Sequence, residues 1–342
     1  MQNKNNTIYK GILTVSGLII IFAGLKTADK IIVPFFLSMF IALVSFPLLK
    51  FFQSKKINTP ISVSLVLTII ITVSLSIAAL IGTSLNSFRK SLPEYKEKIT
   101  SEIDSIVLVL EKYNINIDSN FLNEYVDPNF IIQSVANTLS AFGNVLTNYF
   151  LILFIVMFTL LEAAGFSNKI KLAFKNSDKS ISNFYTFSEN MNKYLTIKTI
   201  VSIITGLLIY ILLMVIGIDH AVLWGLVAFF LNYIPNIGSI IASIPAIIIA
   251  FIQFNAFYAI IVAIIYLIVN VIMGSIIEPR YLGKELGLST LIIFLSLIFW
   301  GWLLGPVGML LSVPLTMIMK IALESNTDTR WIAIMLSRNI NK

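Results

Sequence analysis

The sequence has no cysteine and one histidine. Disulfides and thiolate catalysis are thereby excluded, and a histidine-built metal site is not expected. Charge is scarce as well: 12% of residues are charged against 57% hydrophobic, and the mean hydropathy is +0.91 over 342 residues. Those values suit a chain that crosses a membrane several times rather than a soluble domain of this length. A phosphate-binding glycine loop is missing: Gly283-Lys284 is followed by Glu285, and Glu278 stands where such a loop needs its first glycine. No nucleophile–base pair and no cluster of metal ligands can be assembled, so neither enzyme activity nor a cofactor nor a bound metal is expected. The net charge of +7 does not point to nucleic acid. The lysines and arginines sit in short loops between apolar runs, the distribution that orients a membrane protein.

What the chain does have is a pair of long apolar stretches, each interrupted near its middle by proline and glycine. The first is Ala221–Ile252, broken at Asn232-Tyr233-Ile234-Pro235-Asn236-Ile237-Gly238. The second is Ser289–Met319, broken at Gly301-Trp302-Leu303-Leu304-Gly305-Pro306-Val307-Gly308. Each is about 31 or 32 residues long, too long for one span of about 20 residues and too short for two. Non-helical backbone at membrane depth survives only where protein or water satisfies its N–H and C=O groups. Paired interruptions of this kind mark transport sites. An ordinary proline kink is the plainer account of one such break, but two of matching length around a single span favour the transport reading.

The fold expected is all-α and polytopic: about six full spans plus two broken or re-entrant helical hairpins. Spans are expected near Gly11–Leu25, Ile31–Leu49, Ile61–Gly82, Ala141–Leu161, Ile200–Gly217 and Ala256–Ile277. The first of these follows Lys4 and Lys10 and resembles a signal peptide, but Ala23-Gly24-Leu25 is a poor cleavage site, so a retained span is expected. The chain divides into N-terminal spans (1–82), an extracytoplasmic amphipathic insertion (83–140), a span with a lysine-rich cytoplasmic loop (141–199), a transport core (200–320) and a tail (321–342). Gly165–Lys198 carries six lysines against Asp178 and Glu189, whereas Thr83–Ser140 has five positive and eight negative residues. Both termini and the lysine-rich loop are therefore expected in the cytoplasm, with Thr83–Ser140 outside. The broken segments then dip as hairpins from opposite faces, or else cross as kinked single spans. The nearly neutral loops beside them fit both arrangements.

Leu92, Tyr95, Ile99, Ile103, Ile106, Leu110 and Tyr113 recur at steps of three and four, which predicts an amphipathic helix outside the membrane. Asn114–Ser119 should break it, and Asp127-Pro128 should start the next helix. Ile181, Phe184, Ser188, Met191 and Leu195 repeat the pattern in the lysine-rich segment. The apolar faces of these helices need membrane lipid, neighbouring elements or other subunits to cover them, so a homo-oligomer is expected.

Ionisable residues inside a membrane cost about 2.5–3.5 kcal/mol each on insertion scales and mark function when they occur. Asp29, Lys30, Glu162, Lys198 and Asp219 lie at segment ends, where snorkelling and helix ends account for them. Glu278-Pro279-Arg280 is the exception: Pro279 stops the preceding span, and Glu278 and Arg280 are close enough to pair or to reach a hydrated cavity. A plain interfacial loop is the equal alternative. Uncharged polar groups gather at the breaks: Asn232, Tyr233, Asn236, Ser239 and Ser243 in the first, Ser312 in the second, with Asn270 in the span between. With carbonyls freed by Pro235, Pro306 and Pro314, and with the flexible Gly238, Gly305 and Gly308, these groups suit a neutral polyol-like solute or a small cation. Helix-to-helix hydrogen bonding is the simpler role for the same side chains.

Asn232-Tyr233-Ile234-Pro235-Asn236-Ile237-Gly238 resembles the Asn-x-Ile-Pro-x-Ile-Gly signature of the autoinducer-2 exporter family of PerM-type permeases. Ile277-Glu278-Pro279-Arg280, Gly287-Leu288-Ser289 and Trp302–Leu315 resemble that family's C-terminal blocks. The resemblance is specific from about Ile200 to Glu324 and architectural before it. Thr196-Ile197-Lys198 departs from a Gly-Gln-like pair that many members carry there. The resemblance implies a multi-pass permease of a prokaryotic cytoplasmic (inner) membrane that exports the quorum-sensing compound autoinducer-2 or a similar furanosyl solute. Related members are assigned Na⁺(Li⁺)/H⁺ antiport, for which Glu278 is the candidate carboxylate. On the export reading Asn232, Asn236 and Ser239 orient the solute, and Glu278 with Arg280 couples or gates. A membrane scaffold, docking through the outer helices, is the third class.

Overall fold

The computed structural model describes residue 13 and residues 16–17, 19–112, 148–173, 178–235, 237–282, 288–324 and 328–337. Residues 19–27 are helical and turn at Ala28 into α1 (Asp29–Ser54). There follow α2 (Thr59–Lys112), α3 (Tyr149–Ala173), α4 (Asp178–Ile216), α5 (Ala221–Leu231), α6 (Gly238–Gln253) and α7 (Ala256–Asn270). A π-helix (Val271–Ile277), α8 (Glu278–Leu282), α9 (Thr290–Glu324) and α10 (Arg330–Leu336) complete the order. Among the described residues there is no β-strand, only one isolated antiparallel bridge between Leu288 and Ser337. Five helices among those residues are long and apolar enough to cross a membrane: residues 29–54, 59–88, 189–216, 256–281 and 290–324. The protein is an all-α polytopic membrane protein.

Two of the amphipathic helices expected from sequence are continuations of spans. The helix of the outer segment is the far end of α2, a single helix of 54 residues that tolerates Pro93 inside it. The lysine-rich helix is the first part of α4, 39 residues long. Nothing at Thr83-Ser84-Leu85 or Thr196-Ile197-Lys198 breaks a helix, so propagation continues through both junctions. The expected break at Asn114–Ser119 and the helix start at Asp127-Pro128 lie outside the described residues.

The chain forms two compact units: Met1–Ser54 with Phe150–Asn192 and Lys284–Lys342, and Lys55–Tyr149 with Lys193–Gly283. The core of the second unit runs between α4, α5, α6 and α7, with Phe88 and Tyr95 of α2 packed on it. α4 shows why. Val201, Ser202, Thr205, Ile209 and Leu213 are buried on one face, while Ile203, Ile204, Leu207, Leu208 and Ile211 are exposed on the other. An exposed face of that composition is what lipid requires.

Each broken stretch is folded back on itself. In the second unit, α5 and α6 form a hairpin of 11 and 16 residues. Its feet stand together: Gln253, at the end of α6, accepts from the Asp219 N–H (2.8 Å) and donates to the Gly217 carbonyl (2.8 Å), both just before α5. At the turn, Gly238 lies so close to the Leu231 carbonyl that any side chain there would collide with it. In the first unit, α9 reverses at Gly305, whose φ of 65° and ψ of −151° suit glycine alone. The indole Nε1 of Trp300 donates to Thr316 Oγ1 at 2.9 Å, although the two are 16 residues apart. In a straight helix they would be about 24 Å apart. Gly308 lies against the Trp300 carbonyl as Gly238 lies against Leu231. The base of this second hairpin is closed by the C-terminus, where the Ser289 N–H donates to the Leu336 carbonyl (3.2 Å) beside the Leu288–Ser337 bridge. Within each unit the stretch is therefore a hairpin and not a kinked straight helix.

Because a methyl group at Gly238 or Gly308 would meet backbone rather than a movable side chain, Gly238→Ala and Gly308→Ala should each cost about 1–3 kcal/mol by overpacking. Gly82→Ala, with nothing within 4 Å of the new carbon, should leave the protein unchanged or slightly stabilised. Thermal unfolding of the purified variants in detergent checks the contrast.

Candidate functional site

The first hairpin carries the apolar α5 down alongside α4 and ends in a polar turn. Asn232 and Tyr233, both buried, sit in that turn and each finds a partner on α4. Asn232 Nδ2 donates to Ser202 Oγ at 2.9 Å, and the Tyr233 hydroxyl donates to Thr199 Oγ1 at 2.8 Å. Thr199 Oγ1 donates in turn to the Leu195 carbonyl at 2.7 Å. Ser202 lies 15 residues before Gly217, where the hairpin's feet are held, so the tip reaches about 22 Å along α4. Its descent is made possible by Gly206 and Gly225, which meet where α4 crosses α5: a side-chain carbon on either would come within 2.8 Å of the other's carbonyl oxygen. Small residues at such crossings let helix backbones approach closely.

One turn further along α4 lies a buried ion pair. Lys198 Nζ donates to both carboxylate oxygens of Glu278, at 2.8 and 2.7 Å. The lysine side chain is 4% exposed and the glutamate 16%. Tyr194, one turn before Lys198 and fully buried, is within electrostatic range of Glu278 and Tyr233. Tyr194, Lys198 and Ser202 thus form a polar stripe at i, i+4 and i+8 on the buried face of α4, with Thr199 beside it. The π-helix delivers Glu278 to this stripe. The Glu278 N–H donates to the Met273 carbonyl, five residues back instead of four. π-turns of this kind concentrate at functional sites, because each one rotates the face presented by the next helical turn.

The residues singled out from sequence take distinct places. Asn232, Tyr233 and Glu278 are in the seam just described. Pro235 is half-buried in the same turn, its carbonyl accepting from the Ile237 N–H at 2.6 Å. Gly238 and the half-buried Ser239 open α6, whereas Ser243 donates to the Ile240 carbonyl of its own helix. Asn270 is half-buried and sits where α7 becomes the π-helix. Asn236 lies outside the described residues. Of the roles left open for Glu278 and Arg280, mutual pairing is not what the structure holds: Glu278 turns to Lys198, and Arg280 is exposed. Lys198 is also no snorkelling end group, since α4 begins at Asp178 and carries it inward.

Gly305, Pro306, Gly308, Ser312 and Pro314 belong to the second hairpin in the other unit. Gly305 makes the reversal, Pro306 is exposed next to it, and Gly308 and Pro314 are buried. The Ser312 hydroxyl is shut off from solvent and has no hydrogen-bond partner among the described residues. The Tyr266 hydroxyl is in the same condition in the second unit. Sealed, unpaired hydroxyls are rare and call for an explanation. Among the described residues no three His, Cys, Asp or Glu side chains come together as a metal site.

Removing one member of a buried ion pair strands the other. Lys198→Met should therefore lower stability by about 3–5 kcal/mol, and adding Glu278→Gln should restore most of that loss. A double-mutant cycle on thermal or denaturant unfolding reads the coupling directly.

Comparison with known proteins accounts for this architecture. Residues 15–328 match the model of the AI-2E family transporters. The AI-2 transport protein TqsA of Escherichia coli (strain K12) is 40% identical over 334 residues, covering 97% of this chain and 96% of that protein. A transport-protein candidate of Haemophilus influenzae is 38% identical over 342 residues, covering 98% of both. A second one, YhhT of Escherichia coli (strain K12), is 32% identical over 326 residues, covering 95% and 93%. The two hairpins and the buried polar seam thus sit in a multi-pass membrane protein whose relatives are described as transport proteins and not as enzymes. This chain belongs to the AI-2E family of transporters.

Proposed function

We propose that the protein is a secondary transporter that exports a small polar solute, autoinducer-2 or a related furanosyl compound, across the cytoplasmic membrane. The observation that carries the proposal is the first hairpin. Its feet share one end of α4, and its tip brings Asn232 and Tyr233 onto Thr199 and Ser202, next to the Lys198–Glu278 pair. Amide and hydroxyl groups at a helix break are the groups that bind an uncharged polyol. The name of the Escherichia coli relative supports the choice of solute.

In this proposal both broken stretches are re-entrant, both termini face the cytoplasm, and the feet of the first hairpin face outward, in keeping with the lysine distribution. Asn232, Asn236 and Ser239 orient the solute from the first hairpin. In the second hairpin, Ser312, whose hydroxyl has no hydrogen-bond partner among the described residues, and the Gly305-Pro306 break offer a polar position of their own. Glu278 is the coupling group, held by Lys198, with Arg280 at the mouth beside it. A cation/proton antiporter is the second reading, favoured by one feature: Glu278 is a carboxylate enclosed in protein and paired with Lys198, the kind of buried acidic group that such exchange needs.

The test is efflux of autoinducer-2 from liposomes that contain this protein alone, with and without an imposed proton gradient. Gradient-driven efflux is expected, reduced about tenfold or more by Asn232→Leu, since a site built to bond polar groups loses them. Glu278→Gln should abolish the gradient dependence, and comparing Lys198→Ala with Arg280→Ala tells which cation Glu278 depends on. No efflux, with Na⁺ exchange that Glu278→Gln removes, would replace export by antiport.

A further inference from the structure

At the feet of the first hairpin, on the end of α4 away from Lys198, several polar groups converge on two residues that the transport site does not use. The Tyr95 hydroxyl, from the part of α2 beyond its membrane-length segment, donates to Asp219 Oδ2 at 2.9 Å. The Asp219 backbone is held from two further elements: its N–H donates to Gln253 of α6, and its carbonyl accepts from Trp224 Nε1 of α5 at 2.9 Å. Asp219 thus fastens α2, α5 and α6 at one point. His220 comes next in the left-handed conformation (φ 59°, ψ 32°), which is uncommon outside glycine. Its ring packs on Phe88, whose ring in turn packs on Tyr95. The ring as a whole is half-buried, but its Nε2 is closed to solvent and has no hydrogen-bond partner among the described residues.

We infer that Tyr95, Asp219 and His220 form a latch that holds the feet of the α5–α6 hairpin closed, and that protonation of His220 opens it. The inference rests on the reading of that hairpin as part of the transport site, and takes it to be the part that moves. A neutral imidazole tolerates the sealed position. An imidazolium needs acceptors on both nitrogens and finds none at Nε2, so the charged form favours any arrangement that brings the ring to water.

Among the described residues, the other charged and titratable groups around the latch are Asp219 beside the histidine and, on α2, Tyr95 with Glu94 near it, the latter paired with Lys98 at 3.0 Å. From α6 and α5 the neutral Gln253 and Trp224 bond to the Asp219 backbone. Burial lowers the histidine's proton affinity and the Asp219 carboxylate partly restores it. Burial and the Asp219 hydrogen bond push the Tyr95 hydroxyl well above its ordinary range, so it stays a donor throughout. A group whose pKa is depressed in the closed state favours that state above its ordinary pKa, about 6.5, and withdraws the support as pH falls below it. Mild acidity on the outer face is therefore the opening signal.

The absence of native cysteine makes the test clean. A single cysteine replaces Ala221, which is 8% exposed in the first turn of α5, and a second protein carries one at the exposed Ser87 as reference. The rate of thiol labelling of the purified protein at the first position, divided by that at the second, cancels the reagent's own pH dependence. Tyr95→Phe removes the hydroxyl and keeps the ring, so the ratio should rise about tenfold, the equivalent of one hydrogen bond to a charged acceptor. In the parent the ratio should rise as pH drops from about 8 to about 5.5, across the ordinary histidine pKa. It should stay flat in His220→Asn, a residue that accepts the left-handed conformation. A cysteine at the buried Ile218 repeats the measurement if Ala221→Cys fails to fold. A ratio indifferent to Tyr95→Phe, or a pH response that survives His220→Asn, overturns the latch. Labelling reads the latch without any solute, so its failure is separate from a failure of efflux.

Discussion

A chain in lipid must satisfy its own backbone, and this constraint shapes the protein. Helices meet it automatically; the two interrupted stretches do not. Each freed peptide group needs a partner from protein, and folding the stretch back on itself brings one arm within reach of the other. The reversals in turn demand glycine where backbone meets backbone, at Gly238 against Leu231 and at Gly308 against Trp300. They also demand anchors at the open end: Gln253 on Gly217 and Asp219 for one hairpin, the Leu288–Ser337 bridge for the other. Proline and glycine at mid-segment, which weaken a simple span, are thus what permits each stretch to reverse on itself.

Once a polar turn is buried, the wall facing it must be polar as well. α4 supplies that wall with Thr199 and Ser202, and extends it by one turn to Lys198 and Tyr194. The ion pair with Glu278 is the most demanding element. Two charges removed from water are tolerable only with close geometry, and both carboxylate oxygens lie within 2.8 Å of the ammonium. Such a pair contributes little net stability, yet it fixes how α4 and the end of the α7 segment face one another.

The class, the broken stretches and the signature around Pro235 are plain in the sequence, because length, hydropathy and proline–glycine spacing are local properties. Hairpin and kinked span stay undecided there, since lysine counting is silent where loops are nearly neutral; the bond from Trp300 to Thr316 is a tertiary fact. Lys198 misleads for a related reason. Taken as the end of a span, it looks like an interfacial lysine; as the middle of a helix that starts at Asp178, it points inward. The spacing of Tyr194, Lys198 and Ser202 is the available signal. No local pattern announces the π-helix, and without it nothing directs Glu278 to Lys198 rather than to Arg280 or to the interface.

The π-helix has a consequence for how this protein tolerates change. A π-turn is equivalent to one residue too many in an α-helix, and one residue corresponds to a rotation of about 100° about the axis. Deleting a single residue between Val271 and Ile277 would let the segment relax to α-helix while keeping its length and apolar character. It would also swing Glu278 away from Lys198. The surplus residue is what aims the carboxylate.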